Sequence, residues 1–134
     1  MELVVTFAEK PATRDERQIA KLLTRIARAI NSRDLPLLKS VYATEAMVQM
    51  SVGSREMFTV PEYLERLSHL IPDVRSLRLS DVVIRLDGME ASVFCTSILH
   101  FHGTAGKRSN SRLFKCRRLG GRWEIVEAVF LDGQ

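Results

Sequence analysis

The chain has 134 residues, of which 46% are hydrophobic and 27% charged, and its formal net charge is +4. This length suits one hydrophobic core, so we predict a single domain over residues 1–134, with an N-terminal extension at 1–12. Apolar stretches fall short of the roughly 18 residues that a membrane span needs, and the first residues do not resemble a secretory signal. These features predict a cytoplasmic protein that does not bind membranes.

The two cysteines and the basic residues exclude further classes of protein. Cys95 and Cys116 have neither CxxC spacing nor a histidine at metal-ligand spacing, so both are interpreted as buried apolar residues, and no cofactor is predicted. The densest basic stretch lies at 107–122 and is compatible with an anionic partner. Because strand alternation places several of these cations in solvent and no aromatic cluster adjoins them, we predict no nucleic-acid binding.

Helical periodicity dominates the N-terminal half. Thr13 and Glu16 form a capping box, and apolar residues at helical spacing then predict a helix to about Asn31. Asp34 is predicted to cap a second, shorter helix that carries its apolar face as far as residue 42. A second capping box at Thr59 predicts a third helix, which ends at Pro72.

The apolar period changes to two after the third helix. Glycine-containing turns divide this half of the chain, which is typical of an antiparallel meander. Strands are predicted at 46–52, 56–58, 74–86, 90–102, 108–118 and 122–131. Helices followed by a long meander predict an α+β fold, with three N-terminal helices packed on one face of a curved, mostly antiparallel sheet.

The order of these elements and three local strings resemble the nuclear transport factor 2-like superfamily, in its SnoaL-like and ketosteroid-isomerase-like branches. The strings are AINSRDL at 29–35, VYATEA at 41–46 and GRWEIV at 121–126. The resemblance implies a cone-shaped, cystatin-like domain around an internal pocket, and typically a homodimer. Such domains serve as enzymes, ligand binders or assembly modules.

The resemblance also locates the positions where isomerase-like members carry catalytic groups. The tyrosine position falls on Ile26, the aspartate base on Met50, and the second acid on or near Arg112. None of these side chains suits that chemistry. A surviving pair of acids or a histidine inside the pocket would imply another reaction, but the sequence places none there.

Strand alternation and the superfamily pattern together predict the pocket lining. The predicted ligand-binding residues are Tyr42, Met50, Ser97, Leu99, Arg112, Phe114, Val126 and Phe130. Arg112 is the most informative, because an inward arginine in an apolar lining needs an anion. That anion is either a ligand carboxylate or phosphate or an internal acid such as Glu124 or Glu127; a shifted register would instead place Arg112 outside.

The opposite face of the sheet carries apolar side chains that a monomer would leave exposed. Phe94, Ile98, Ile125 and Val129 are predicted to lie there and to form a homodimer interface. His100 and His102 share this face, near its rim, without a third metal ligand. His69 is predicted to face solvent.

Two classes of function remain open. We favour a dimeric module that binds a small, mainly apolar molecule whose anionic group pairs with Arg112. The alternative is a SnoaL-like, isomerase-type or dehydratase-type enzyme in which Tyr42, Ser97 or a histidine acts as acid or base. A titratable group inside the pocket, other than Arg112, distinguishes the second from the first.

Overall fold

A computed structural model describes residues 4–131 of the chain. Its three helices are α1 (Arg14–Ser32), α2 (Leu35–Lys39) and α3 (Val60–Leu70). Both predicted capping boxes form: the Thr13 hydroxyl accepts from the backbone N–H of Glu16 at 3.1 Å, and the equivalent pair caps α3. These caps satisfy N–H groups that the first helical turn leaves free, and they fix where the two longer helices begin.

Seven strands form one curved, mixed sheet on which the helices pack. The strands are β1 (Val5–Phe7), β2 (Tyr42–Gln49), β3 (Met57–Thr59), β4 (Val74–Asp87), β5 (Glu90–Phe101), β6 (Lys107–Leu119) and β7 (Arg122–Phe130). Their order is β1-β4-β5-β6-β7-β2-β3. The pairs β1–β4 and β2–β7 are parallel, and the other neighbours are antiparallel. The predicted α+β architecture is confirmed.

Two strand assignments differ from the prediction. The apolar spacing predicts Val41 and Tyr42 as the last turn of the second helix, but α2 ends at Lys39 and β2 already begins at Tyr42. Val and Tyr favour β-structure, and a helix of five residues has little stability of its own with which to extend. The chain therefore leaves the helix and pairs with β7. Residues 5–7, within the predicted extension, form an edge strand parallel to β4.

A β-bulge changes which side chains of β7 face the helices. Lys115 lies opposite Glu127 and Cys116 lies opposite Ile125, so Val126 has no partner on β6. The extra residue reverses the inside-outside alternation along β7. Ile125 is therefore fully buried in the core, whereas simple alternation placed it on the outer face.

The core lies between α1 and the concave face of the sheet. Its most completely buried large side chains include Ile19, Leu23, Leu38, Leu79 and Phe114. Trp123 closes one end of this core, where its indole N–H donates to the Asp15 carboxylate at 3.0 Å. In the part of the chain that the structure describes, none of the helices is long and apolar enough to span a membrane.

Candidate ligand-binding cavity

A cavity of about 490 Å³ lies between the concave face of the sheet and helices α1 and α3. Its mouth is marked by the exposed lining residues Val52, Leu70 and Arg108. Its wall combines aliphatic side chains of α1, α3 and β4 with polar side chains of β5 and β6. The polar lining side chains include Tyr42, Gln49, Tyr63, Ser97, Asn110 and Arg112.

Strand β6 carries the main polar feature of the wall. Its inward side chains run from the fully buried Phe114 through Arg112 and Asn110 to the exposed Arg108 at the mouth. This order follows from the regular alternation of β6 against β5, in which Arg112 lies opposite Cys95 and Asn110 opposite Ser97. Arg112 therefore sits below the mouth, at the boundary between the apolar floor and the polar upper wall.

The guanidinium of Arg112 lies against two aromatic rings. It is 4.2 Å from the ring centre of Phe130 and 5.0 Å from that of Phe114, both within cation–π range. Its Nε and Nη2 atoms are buried, and neither has a hydrogen-bond partner among the described residues. The two rings stabilise the positive charge through cation–π contacts, but two N–H donors have no acceptor within residues 4–131.

The glutamates considered as internal partners of Arg112 pair with other cations. Glu127 lies 3.9 Å from Lys115, and Glu124 lies 3.9 Å from Arg117. Both glutamates belong to the outer side of the β6–β7 ladder, whereas Arg112 lines the cavity. No ion pair joins Arg112 to a carboxylate among residues 4–131.

Two tyrosine rings meet edge to face in the cavity wall. The ring centres of Tyr42 and Tyr63 are 5.9 Å apart, with 71° between the ring planes. Burial raises the pKa of Tyr42 well above its usual range, and the neighbouring Tyr63 raises it further. Burial also raises the pKa of Tyr63. Both hydroxyls therefore stay protonated at neutral pH and act as hydrogen-bond donors, not as bases.

Gln49 is buried, with 7% of its surface exposed, and the sequence did not predict its role in the cavity wall. Its Oε1 accepts from the backbone N–H of Phe130 at 2.9 Å, while its Nε2 donates to the carbonyls of Ser51 and Ser54. The side chain thus ties the loop at the mouth to the end of β7. No motif marks it; only its inward position next to the Gly53 turn could have suggested it.

The structure brings most of the predicted ligand-binding residues together. Tyr42, Met50, Ser97, Leu99, Arg112, Phe114 and Phe130 all line the cavity, as does Ile26 at the matched tyrosine position. The prediction for Val126 is wrong: the bulge places it on the other side of the sheet, in a hollow that Ser92, Lys115 and Arg117 also line. Tyr63 and Asn110 line the cavity without having been predicted.

The histidines lie outside the cavity. His69 is exposed and contacts Glu65 at 3.2 Å, while the Nε2 atom of His102 lies 3.5 Å from a guanidinium nitrogen of Arg33. His100 is half-buried on the outer face of β5. Among the described residues that line the cavity there is no Asp, Glu or His, and residues 4–131 contain no cluster of three metal-ligating side chains.

The two cysteines are free and buried, as the sequence predicts. Burial raises the pKa of Cys95 to about 11, which Arg112 partly opposes, and raises that of Cys116 to about 12. At pH 8 only about one Cys95 thiol in a thousand is therefore ionised, and the thiolate is the reactive form.

We expect both thiols to react with a disulfide reagent orders of magnitude more slowly in the folded protein than in urea. Rapid reaction of the folded protein would contradict this burial.

Comparisons with known proteins agree with this fold. The model of the SnoaL-like domain matches residues 11–129. A structure of an NTF2-like protein of unknown function from Pseudomonas putida is 17% identical, with a TM-score of 0.75 over 90% of this chain and 88% of that one. A cystatin-like protein of unknown function from Nostoc punctiforme is 14% identical, with a TM-score of 0.74 over 91% and 93%.

Some similar structures have provisional enzymatic names. One of them is a provisionally assigned scytalone dehydratase from Novosphingobium aromaticivorans, 13% identical, with a TM-score of 0.67 over 87% of this chain and 82% of that one. No curated protein matches the chain in sequence. Identities this low establish the shared fold alone. Because the family model spans most of its length, the chain belongs to the SnoaL-like domain family.

Proposed function

We propose that the cavity binds a small, mainly apolar molecule whose anionic group pairs with Arg112. The observation that carries this proposal is the pair of buried Arg112 donors, Nε and Nη2, that have no acceptor in the described protein. A buried polar group without a partner destabilises a fold by about 1–3 kcal/mol, and more when the group is charged. A ligand carboxylate or phosphate supplies two acceptors in the geometry that a guanidinium fork requires.

The rest of the cavity supports an apolar ligand of small-molecule size. Its volume of about 490 Å³ is typical of small-molecule sites. Ile30, Leu67, Leu77 and Leu79 supply apolar contacts on the helix side and on β4. The protonated hydroxyls of Tyr42 and Tyr63 add donors, which favour an oxygen-rich anionic end over a basic one.

An enzymatic role is the second candidate. The tyrosine hydroxyls and Arg112 together suit the stabilisation of a developing oxyanion, and two structural neighbours carry dehydratase names. The described lining offers no carboxylate or imidazole to remove a proton, however, and Met50 occupies the matched base position. We therefore favour binding, and an enzyme in this cavity would rely on the substrate's own basic group or on water.

We also propose that the protein is a homodimer through the outer face of the sheet. Val83, Phe94, Leu113 and Val129 lie opposite one another on four adjacent strands and form a continuous apolar row. Phe94 is 40% exposed, and Ile98 extends the row along β5. A second copy placed on this row would cover it symmetrically, as in most homodimers.

The test of the ligand proposal uses aromatic carboxylates and their corresponding primary alcohols. We expect a carboxylate that binds to stabilise the folded protein by about 2.7 kcal/mol at a hundred times its Kd, and therefore to raise the melting temperature. The alcohol should raise the melting temperature far less. Arg112→Met keeps the apolar bulk but removes both orphan donors. It should abolish the carboxylate-dependent shift, without loss of stability in the absence of ligand.

Arg108→Met is the matched control, because Arg108 lies at the exposed mouth on the same face of β6. It should retain most of the ligand-dependent shift. An equal response of Arg112→Met and the unaltered protein would exclude Arg112 as the anion site. Turnover of any bound carboxylate, followed by absorbance or mass spectrometry, would favour the enzymatic candidate.

A further inference from the structure

The outward face of α1 is a stripe of cations. Arg17, Lys21, Arg25 and Arg28 are all exposed and follow one another at helical spacings of four, four and three residues. The stripe is about 16 Å long at the rise of an α-helix. Since no acidic residue occurs between positions 17 and 33, the opposite charges that normally alternate along an exposed helix are missing here.

None of these four cations forms an ion pair within residues 4–131. The basic stretch at 107–122, which stands out more in the sequence, is partly neutralised: Lys115 pairs with Glu127, Arg117 with Glu45, and Arg118 with Asp15. Like charges four residues apart destabilise a helix. The stripe therefore weakens α1 slightly. At its N-terminal end, Arg17 Nη1 donates to the Ala12 carbonyl at 2.6 Å, whereas Lys21, Arg25 and Arg28 form no ion pair among the described residues.

A shallow groove adjoins the stripe. It measures about 220 Å³ and lies between α1 and the turn that joins β6 to β7. Lys21 and Arg25 flank it on one side and Arg122 on the other, with the buried Leu22 and Trp123 beneath. Three cations around one concavity concentrate positive potential, which attracts anionic side chains.

We infer that the cation stripe and its groove form a docking site for an acidic polypeptide segment of a partner protein. The stripe matches about five residues of extended chain. Glu16 lies in the first turn of α1 and forms no ion pair among residues 4–131, so it would repel a long polyanion that continued past the stripe. A short acidic segment avoids this repulsion.

Two other anionic partners fit the surface less well. The aromatic residue that lines the groove, Trp123, is buried and offers no ring on which a nucleic-acid base could stack. The apolar side chains of α1, such as Ile19 and Leu22, are also buried, so the helix has no free apolar face to insert into a lipid surface.

The experiment measures fluorescence anisotropy of a labelled peptide that contains a run of glutamates. The same peptide with glutamines is the neutral control, and a single-stranded oligonucleotide and phosphatidylserine vesicles are competing ligands. We expect the glutamate peptide alone to bind tightly, with affinity that falls as salt rises. The triple variant Lys21→Glu, Arg25→Glu, Arg28→Glu should weaken it by about tenfold or more.

A second triple variant controls for net charge. Lys10→Glu, Arg75→Glu, Lys107→Glu reverses the same number of exposed cations elsewhere on the surface and should leave peptide affinity almost unchanged. Circular dichroism of both variants checks that α1 is intact. An equal loss in the two variants, no binding of the glutamate peptide, or tighter binding of the oligonucleotide or vesicles would overturn the inference.

Discussion

Replacing Trp123 with alanine is expected to destabilise the protein by about 3–5 kcal/mol, the usual range for a buried tryptophan. Trp123 is 4% exposed, and its indole N–H donates to Asp15 in the first turn of α1. The substitution therefore leaves a cavity at the closed end of the core and releases the last hairpin from the helix. Urea denaturation measures the loss, and the melting temperature should fall by roughly 10 °C or more.

Trp123→Phe is the control that separates packing from hydrogen bonding. It keeps an aromatic ring and removes the N–H, so its loss should be clearly smaller. The pKa of Asp15 is lowered mainly because its carboxylate accepts this hydrogen bond from Trp123. A carboxyl whose pKa is lower in the folded state than in the unfolded state stabilises the fold at pH values above its unfolded-state pKa. This stabilisation disappears as the pH falls through the folded-state pKa. Trp123→Phe should accordingly show a weaker loss of stability below about pH 4; an unchanged acid profile would contradict this link.

Local signals in the sequence predicted the helices well, because their causes are local. The capping pairs at Thr13 and Thr59 and the turn at Asp34 act within four residues, and the structure contains all of them. The parallel pairing of β2 with β7 joins residues about eighty positions apart. No local pattern encodes such a contact, and the predicted strand at 46–52 accordingly begins four residues after the observed start of β2.

The cavity lining could be predicted wherever a strand alternates regularly. On β6 the alternation is unbroken against β5 from Arg108 to Arg117, so the inward position of Arg112 followed from counting. On β7 the bulge at Val126 interrupted the count, because a bulge is stabilised by neighbouring strands and carries no required residue type here. The side chains beyond this point, Ala128 and Phe130, return to the predicted side.

The polar contacts of the cavity lay beyond sequence reasoning for a different reason. Gln49 joins three backbone groups from the mouth loop and β7, and that choice depends on distances of a few ångströms. The orphan donors of Arg112 are visible only once Glu124 and Glu127 are seen paired with other cations. Charge and alternation indicated an anion site, whereas only the geometry shows that Glu124 and Glu127 pair with cations other than Arg112.

The dimer proposal leads to the second large effect, at Ile98. Its side chain lies on the outer face beside the apolar row, opposite Arg78 on β4 and Ser109 on β6. In a twofold interface each substitution occurs twice, so Ile98→Lys would bury two unpaired charges. An unpaired buried charge destabilises by about 3–5 kcal/mol, which predicts a dimer Kd raised by at least about a thousandfold.

Sedimentation velocity across a range of protein concentrations measures this change. Ile98→Lys should sediment as a monomer, or aggregate through its uncovered row, at concentrations where the unaltered protein sediments as a dimer. Met89→Lys is the matched control, since it introduces the same charge in place of an apolar side chain that is 57% exposed at the β4–β5 turn. A dimer that persists in both variants would place the interface elsewhere and leave the row from Val83 to Val129 as exposed surface. Loss of the dimer in Ile98→Lys alone, with the carboxylate-dependent shift in melting temperature retained, would show that the outer face assembles the protein independently of the cavity.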